Sequence, residues 1–203
     1  MKVLVACEES QEVCKAFRER GHEAYSCDIQ ECSGGHPEWH LKVDVTELLK
    51  LRWDLIIAHP PCTYLTNAAA RWLFAGKTLN QERYSKGIEA KEFFMKFFET
   101  DCPKVAIENP VPSAIYEMPK PTQTLQPYEF GHPYSKKTCL WLKGLPPLMP
   151  TEIVIDHVPY VSSGSYSRTH DPRYKGASRR GGAAKMRSKT FPGIARAMAD
   201  QWG

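Results

Sequence analysis

The chain alternates short apolar runs with segments whose apolar residues recur at helical spacing. The runs over 2–7, 55–58 and 105–107 have the length and composition of buried strands. Residues 10–20 and 81–100 carry apolar positions spaced as on one face of a helix. Strands that alternate with helices in this way predict an α/β domain with a mostly parallel sheet.

The first strand, helix and second strand form a βαβ unit. Ser10 is positioned to cap the helix and Gly21 to end it, and Asp28 closes a second strand over 23–27. This is the layout of a nucleotide-binding half-sheet, in which the acidic residue accepts hydrogen bonds from ribose hydroxyls.

The turn between the first strand and the helix has an unusual composition for such a unit. Residues 6–11 contain no glycine, and they include Glu8 and Glu9. Two carboxylates at this place would repel a pyrophosphate, whereas a sulfonium or an amine would be tolerated better. The turn therefore argues against NAD or ATP and is compatible with S-adenosylmethionine.

The weaker patterns predict the remaining elements. Residues 111–135 have little periodicity, and we predict no element there. The other predicted elements are short strands over 41–45, 138–142 and part of 153–161, and helices over 45–51, 67–75 and 190–202.

Residues 53–62 are the most informative stretch. The apolar run stops at Pro60 and Pro61, which cannot continue a sheet ladder, and Cys62 follows at once. A stiff loop would then hold a thiol at the carboxyl end of a strand, where nucleophilic catalysis is commonly built. An inert, buried cysteine after a proline-rich turn is the alternative. His59 either packs there or influences the pKa of Cys62.

Polar residues close several of the predicted strands. Glu108, Asn109 and Pro110 follow the run over 105–107, and Asp28, Asp44 and Cys62 lie at or near the ends of earlier strands. One such residue is most simply a polar group that caps a strand end. Four chemically versatile side chains at four strand ends predict a functional site along the carboxyl edge of the sheet.

Charge is spread unevenly along the chain. The 203 residues suit one domain and carry a net charge of +4. Residues 162–196 contain nine Lys or Arg against Asp171 alone, a local charge of +8, so the remaining residues sum to −4. A basic segment beside a near-neutral body suggests a polyanion partner, nucleic acid first. A solvated basic loop is the alternative.

The seven cysteines are scattered, and the opening residues run directly into a strand. We therefore expect a cytoplasmic protein with reduced thiols and no membrane span. Cys32, His36 and His40 follow no standard zinc spacing and lie in a Gly-Pro loop, so we expect no metal site there.

Several motifs together resemble the DNA cytosine-5 methyltransferases, especially the short versions carried by phages. Pro60-Pro61-Cys62 is similar to that family's nucleophile loop, and Glu108-Asn109-Pro110 to its Glu-Asn-Val element. Lys136-Lys137 resembles a reduced Gln-x-Arg-x-Arg strand, and residues 188–192 resemble the last motif of the family. The family's glycine-rich first motif is replaced by residues 6–11.

The resemblance implies transfer of a methyl group from S-adenosylmethionine to C5 of cytosine in DNA, with the base flipped out or single-stranded. Cys62 would attack C6, and Glu108 would bind the N3/N4 edge of the base, ideally as a neutral acid that shares its proton with N3. Asn109 and Pro60 would fix the geometry of the loop. The implied catalytic residues are Cys62, Glu108, Asn109 and Pro61. The implied cofactor residues are Asp28, Asp44, Cys7 and Pro60. The implied nucleic-acid-binding residues are Lys136, Lys137, Arg168, Arg179 and Arg180.

The implied organisation is a single Rossmann-like methyltransferase domain with a much reduced target-recognition segment. Residues 1–144 would form the catalytic core, 145–187 the short basic recognition segment, and 188–203 a helix that completes the core. Two alternatives stay open. One is a cysteine-dependent enzyme that modifies a free pyrimidine nucleotide or uses a different donor. The other is a non-catalytic nucleic-acid-binding module on a degenerate methyltransferase fold.

Overall fold

The computed structural model describes residues 1–160 and 188–203, and it shows an α/β fold. The strands are β1 Lys2–Ala6, β2 Glu23–Cys27, β3 His40–Leu41, β4 Leu55–Ala58, β5 Phe74–Ala75, β6 Thr78–Leu79, β7 Val105–Pro110, β8 Gln123–Leu125, β9 Tyr134–Ser135, β10 Thr138–Lys143 and β11 Val158–Pro159. The helices are α1 Glu12–Glu19, α2 Val45–Leu48, α3 Gln81–Glu99 and α4 Pro192–Trp202.

A seven-stranded sheet in the order β3-β2-β1-β4-β7-β10-β8 forms the centre of the fold. The five strands from β3 to β7 are parallel, and β10 runs antiparallel to both of its neighbours. The chain moves outward in opposite directions from β1 and β4, so the strand order reverses between them. In open α/β sheets such a reversal opens a crevice at the carboxyl ends of the strands, where ligands bind.

Alternating side chains of the central strands pack into two hydrophobic layers. On β1, Val3 and Val5 belong to the layer that contains α1 and α4, whereas Leu4 and Ala6 belong to the layer that contains α3. This division follows from the two-residue period of a strand. Both faces of the sheet are therefore covered, which explains the continuous apolar runs of β1 and β4.

The strongly patterned elements are confirmed, and one helix cap was wrong. The strands over 23–27 and 55–58 and the long helix α3 lie where the pattern places them, and Gly21, with φ 80°, ends α1. Ser10 does not cap α1. The residue before the helix is Gln11, with φ 60°, and the carboxylate of Glu8 accepts the helix N–H groups instead.

The predicted helix over 67–75 was also wrong in type and length. Residues Asn67–Trp72 form a 3₁₀ helix, and β5 then pairs with β6 in a small separate hairpin. The hairpin turns at Gly76, whose φ of 63° suits a residue without a side chain. The strand over 41–45 is shortened to His40–Leu41, and the helix over 45–51 ends at Leu48.

The segment without periodicity contains an edge strand of the main sheet. β8 pairs antiparallel with β10 over three residues and therefore depends on a neighbour distant in sequence. Gln123 fixes this edge, because its side chain exchanges two hydrogen bonds, of 2.7 and 2.8 Å, with the backbone of Leu148. Within 153–160, only Val158–Pro159 forms a strand.

We predict that Gly87→Ala destabilises the protein, the opposite of the usual effect of alanine inside a helix. A Cβ on Gly87 in α3 would lie 2.2 Å from the buried ring of Tyr116. Overpacking of this kind costs about 1–3 kcal/mol, which exceeds the gain of about 1 kcal/mol in helix propensity. Chemical denaturation measures the free energy of unfolding.

The matched control is the same substitution in a Tyr116→Ala background, where space for the Cβ has been made. There we expect Gly87→Ala to be neutral or stabilising. Stabilisation by Gly87→Ala in the wild-type background would contradict the packing of α3 against Tyr116.

Candidate active site

A cavity of about 340 Å³ lies at the carboxyl edge of the sheet, where the strand order reverses. Its walls come from segments far apart in sequence that the parallel topology brings together. The lining consists of residues 7–10 after β1, Asp28 and Gln30 after β2, residues 59–63 after β4, Glu108 and Pro110 of β7, Lys136 before β10, and residues 188–190 before α4.

Backbone and amide hydrogen bonds hold the loop that carries Cys62. The His59 N–H donates to the Ala6 carbonyl at 2.9 Å, and the buried side chain of Asn109 donates from Nδ2 to the Pro60 carbonyl at 3.1 Å. The Cys62 carbonyl accepts the N–H groups of the next turn. The loop is thus tied to β1 and β7, and Cys62 lies half-buried in the cavity wall.

Asn109 is placed behind the cavity rather than in its wall, and Pro110 is still part of β7. The sequence pattern placed Glu108, Asn109 and Pro110 after the strand. They pair instead with Leu140, Cys139 and Thr138 of β10. The antiparallel neighbour extends β7 by three residues, which gives Glu108 the rigidity of a strand residue.

His59 and Glu108 form a buried pair at the base of the cavity. Ala58 and Ile107 are partners in the parallel register of β4 and β7, so the next residues lie side by side. Nδ1 of His59 is 3.0 Å from Oε2 of Glu108, and their side chains are 9% and 13% exposed.

The electrostatic environment favours the ionised form of both partners. Burial alone would lower the pKa of His59, but the hydrogen bond to Glu108 and the charges of Glu108 and Glu8 raise it overall. Burial alone would raise the pKa of Glu108, but the bond from His59 and the charge of Lys136 lower it overall. Both shifts in pKa favour the form of the pair in which His59 is an imidazolium and Glu108 a carboxylate.

The two predicted lysines lie differently. Lys136 lines the cavity, and its charge acts on both His59 and Glu108. Lys137 is exposed and lies outside the cavity lining. Arg168, Arg179 and Arg180, and the recognition segment from residue 161 onward, lie outside the described residues.

Acidic residues of the turns after β1 and β2 also line the cavity. Oε1 of Glu8 accepts the N–H of Val13 at 2.6 Å, and Oε2 accepts that of Cys14 at 3.2 Å. Glu8 therefore occupies the N-terminus of α1, where a dinucleotide-binding fold would place a phosphate. Glu9 and Asp28 line the same cavity.

Two residues of the β1–α1 turn adopt the left-handed backbone conformation that favours glycine. Cys7 has φ 58° and Gln11 has φ 60°. Each such residue stores about 1–3 kcal/mol of strain. Gln11 is fixed by hydrogen bonds of 2.8 and 3.0 Å to the backbone of His36, which hold the loop after β2 against the turn.

The predicted cofactor residues divide into two groups. Cys7, Asp28 and Pro60 line the cavity, and Oδ1 of Asp28 accepts the N–H of Gln30 at 2.9 Å. Burial, followed by the charge of Asp28, raises the pKa of the Cys7 thiol. Asp44 lies outside the lining, because its carboxylate caps α2 through the N–H and hydroxyl of Thr46.

The cavity fits S-adenosylmethionine better than a phosphate-bearing cofactor. The turns after β1 and β2 line the cavity with Glu9 and Asp28, which suit a cationic sulfonium, an amine and ribose hydroxyls, and Glu8 lies in the same lining. The side chain of Glu8 already accepts the N–H groups of Val13 and Cys14 at the N-terminus of α1, so an anionic group would have to compete for them. Lys136 and Lys189 lie in the lining as well, so the cavity also presents cations to an anionic substrate.

An aromatic and basic groove borders the Cys62 loop, and the sequence pattern did not single it out. The guanidinium of Arg83 lies 5.1 Å from the centre of the Tyr64 ring, and Nη2 donates to the Thr63 carbonyl at 3.4 Å. The groove is lined by Tyr64, Trp72, Asn80, Glu82, Arg83 and Lys86. Trp72 is 60% exposed, so its ring is accessible to a ligand. The aromatic and cationic residues that follow Cys62 in the sequence could have indicated this groove.

Across residues 1–160 and 188–203, no group of three His, Cys, Asp or Glu side chains is arranged to hold a metal ion. In the same residues, no helix has the length and apolar character needed to cross a membrane. None of the seven cysteines forms a disulfide.

Comparison with solved structures finds methyltransferases at low similarity. A protein described as a DNA modification methyltransferase encoded within an E. coli prophage has a TM-score of 0.47 and 15% identity, covering 79% of this chain and 53% of its own. The Entamoeba histolytica methyltransferase EhMeth has a TM-score of 0.47 and 15% identity, covering 75% of this chain and 57% of its own. A mutant of Spodoptera frugiperda DNMT2 has a TM-score of 0.40 and 16% identity, covering 78% of this chain and 54% of its own.

This chain therefore spans little more than half the length of each of these proteins. No protein-family model matches the sequence, and no curated protein matches it either.

We predict that Glu8→Gln alters how stability depends on pH. Burial raises the pKa of Glu8 from its ordinary value of 4.5 to about 7. The folded protein thus holds this proton more tightly than the unfolded chain, and the stabilisation is lost as pH rises from about 4.5 to about 7. The variant, which has no such proton, should gain stability relative to wild type over this range.

The measurement is the free energy of unfolding of both proteins at several pH values. Glu19→Gln, at an exposed position near the other end of α1, is the matched control and should track the wild type. A constant difference between Glu8→Gln and wild type across this range would contradict a protonated Glu8 in the folded state.

Proposed function

We propose that the protein transfers a methyl group from S-adenosylmethionine to C5 of cytosine in DNA, through a covalent adduct between Cys62 and C6. The observation that carries this proposal is the convergence of Cys62 and Glu108 on one cavity that Glu8, Glu9 and Asp28 also line. A thiol and a polar base-binding group face the substrate, and carboxylates face a cationic methyl donor.

Cys62 is the proposed nucleophile. C5 of cytosine is a poor nucleophile by itself, and addition of a thiolate to C6 converts the ring into an enamine whose C5 accepts an electrophile. The hydrogen bonds from the 59–62 loop to β1 and β7 hold the sulfur in a fixed place. Such fixation lowers the entropic cost of attack.

Glu108 is the proposed base-binding residue. Its Oε2 is engaged by His59, which leaves Oε1 to accept a hydrogen bond from the exocyclic amino group of cytosine. Asn109 acts on the site through the Pro60 carbonyl and is a positioning residue. Pro61 lines the cavity beside Cys62 and stiffens the loop.

The bound cofactor would supply an electrophilic methyl group. Asp28 would accept hydrogen bonds from ribose hydroxyls, as an acidic residue at the end of the second strand does in nucleotide-binding sheets. Cys7 and Pro60 would contact the cofactor from the turns after β1 and β4. Asp44 stays a proposed adenine contact, although its carboxylate caps α2.

DNA is the proposed substrate because cations line the cavity, and cations and aromatic rings line the neighbouring groove. Lys136 and Lys189 line the cavity, and Arg83 and Lys86 line the neighbouring groove with Trp72. Cations of this kind bind phosphates, and exposed rings stack on unpaired bases. A base within a duplex must leave the stack before Cys62 can reach C6. Lys137, Arg168, Arg179 and Arg180 are proposed to add backbone contacts.

We predict that Cys62→Ala abolishes methyl transfer. The assay follows label from S-adenosylmethionine to cytosine in duplex DNA, single-stranded DNA and dCMP. Loss of the attacking atom should lower the rate by at least about 10³-fold. Cys32→Ala, which removes a half-buried thiol outside the cavity lining, is the matched control and should retain activity.

Each outcome of this assay separates the alternatives. Transfer to dCMP in preference to DNA would replace the proposed substrate with a free nucleotide. Absence of transfer to every substrate, together with no S-adenosylmethionine binding by calorimetry, would refute the proposal in favour of another donor or a binding module. Full activity in Cys62→Ala would exclude the covalent mechanism.

A further inference from the structure

One ring nitrogen of His59 has no hydrogen-bond partner among the residues that the structure describes. Nδ1 bonds to Glu108, whereas Nε2 is buried and makes no hydrogen bond within residues 1–160 and 188–203. The side chain is 9% exposed, and His59 lines the cavity. An unpaired buried polar atom lowers the stability of the folded state, and such atoms in a binding cavity commonly meet a ligand.

The groups that face His59 come from three different elements. They are Glu108 on β7, Glu8 in the β1–α1 turn, and Lys136 before β10. Two carboxylates outweigh one ammonium and the effect of burial, so the pKa of His59 is raised. This shift in pKa favours the doubly protonated ring, in which Nε2 is a hydrogen-bond donor.

Glu108 is poorly suited to give a proton itself. Although burial would raise its pKa, the bond from His59 and the charge of Lys136 lower it overall. A carboxylate that accepts a hydrogen bond from an imidazolium acts as an orienting group. This is the arrangement by which carboxylates fix the ring and tautomer of a catalytic histidine.

We propose that His59 is a catalytic acid that donates its Nε2 proton to N3 of the cytosine ring, and that Glu108 orients it for this step. This inference rests on the proposed function, since it concerns the same covalent addition. It assigns the proton to a residue of the Cys62 loop, three positions before the nucleophile.

Addition of Cys62 to the ring moves three electron pairs and one proton. A sulfur electron pair of the Cys62 thiolate forms the S–C6 bond, and the C5–C6 π pair moves to C4–C5. The C4–N3 π pair takes the Nε2 proton to form N3–H, and His59 becomes neutral. In the reverse step His59 recovers this proton as the thiolate leaves. Proton transfer of this kind typically contributes about 10²–10⁴ to a rate.

The purely structural alternative is that His59 only holds Glu108 in place. Two substitutions of His59 distinguish proton donation by Nε2 from the hydrogen bond that Nδ1 makes to Glu108. His59→Asn places an amide nitrogen near the position of Nδ1, so the bond to Glu108 is retained and the group facing the cavity is lost. His59→Gln places an amide nitrogen near the position of Nε2, where it donates a hydrogen bond but releases no proton.

The experiment measures exchange of the C5 hydrogen of cytosine with deuterated solvent, in oligonucleotides and without any methyl donor. Addition of Cys62 makes C5 basic, so C5 takes up deuterium and loses hydrogen to solvent before the thiolate leaves. Wild-type exchange should fall as pH rises through the raised pKa of His59. His59→Asn should be slower by about 10²-fold or more, and both variants should lack the alkaline decline.

Exchange by His59→Asn at the wild-type rate, or a slower rate with the same alkaline decline, would overturn the assignment to His59. Absence of exchange in wild-type protein would instead overturn the covalent mechanism and this inference together. Thermal unfolding and oligonucleotide binding establish that the variants are folded.

A second measurement does not depend on any variant. The imidazole nitrogens of His59 in the wild-type protein, followed by NMR across pH, should both be protonated where exchange is fastest. A ring that is neutral at that pH would overturn the proposal even if neither variant folds.

Discussion

The parallel pairing of β4 with β1 on one side and β7 on the other is the constraint on which the site depends. Ala58 is in register with Ala6 and with Ile107, so the residues after β4 are placed between the turn after β1 and the end of β7. His59 then lies beside Glu108, and Pro60 and Pro61 place Cys62 in the wall of the same cavity. A shift of one residue in either pairing would reverse the direction of these side chains.

This edge of the sheet is held at an energetic cost. A buried ion pair recovers only part of the desolvation energy of its members, so the contact between His59 and Glu108 adds little to the stability of the fold. Cys7 and Gln11 add backbone strain on the neighbouring turn. The apolar layers on both faces of the sheet compensate for these terms. Costs concentrated around one cavity are expected where function, rather than stability, determines the residues.

The sequence was sufficient for the parts of the fold that depend on local pattern. The strands over 23–27 and 55–58 and the helix α3 follow from apolar periodicity and from punctuation by glycine and proline. β8 was missed because a three-residue edge strand exists only through its pairing with β10. The ion pair between His59 and Glu108 was missed because it depends on the register of β4 and β7, which cannot be read from the sequence alone. Glu8 caps α1 in place of Ser10, because the left-handed conformation of Gln11 reverses the chain and brings the Glu8 carboxylate to the start of the helix.

The central claim is that Cys62 bonds covalently to C6 of a cytosine, and trapping this adduct tests it most directly. An oligonucleotide that contains 5-fluorocytosine, incubated with the protein and S-adenosylmethionine, leaves no proton on C5 to be removed after methyl transfer. Mass spectrometry of a proteolytic digest should then find the nucleotide, with one added methyl group, on the peptide that contains Cys62. An absence of adduct on protein that binds the oligonucleotide and the cofactor, or an adduct on another cysteine, would contradict the account.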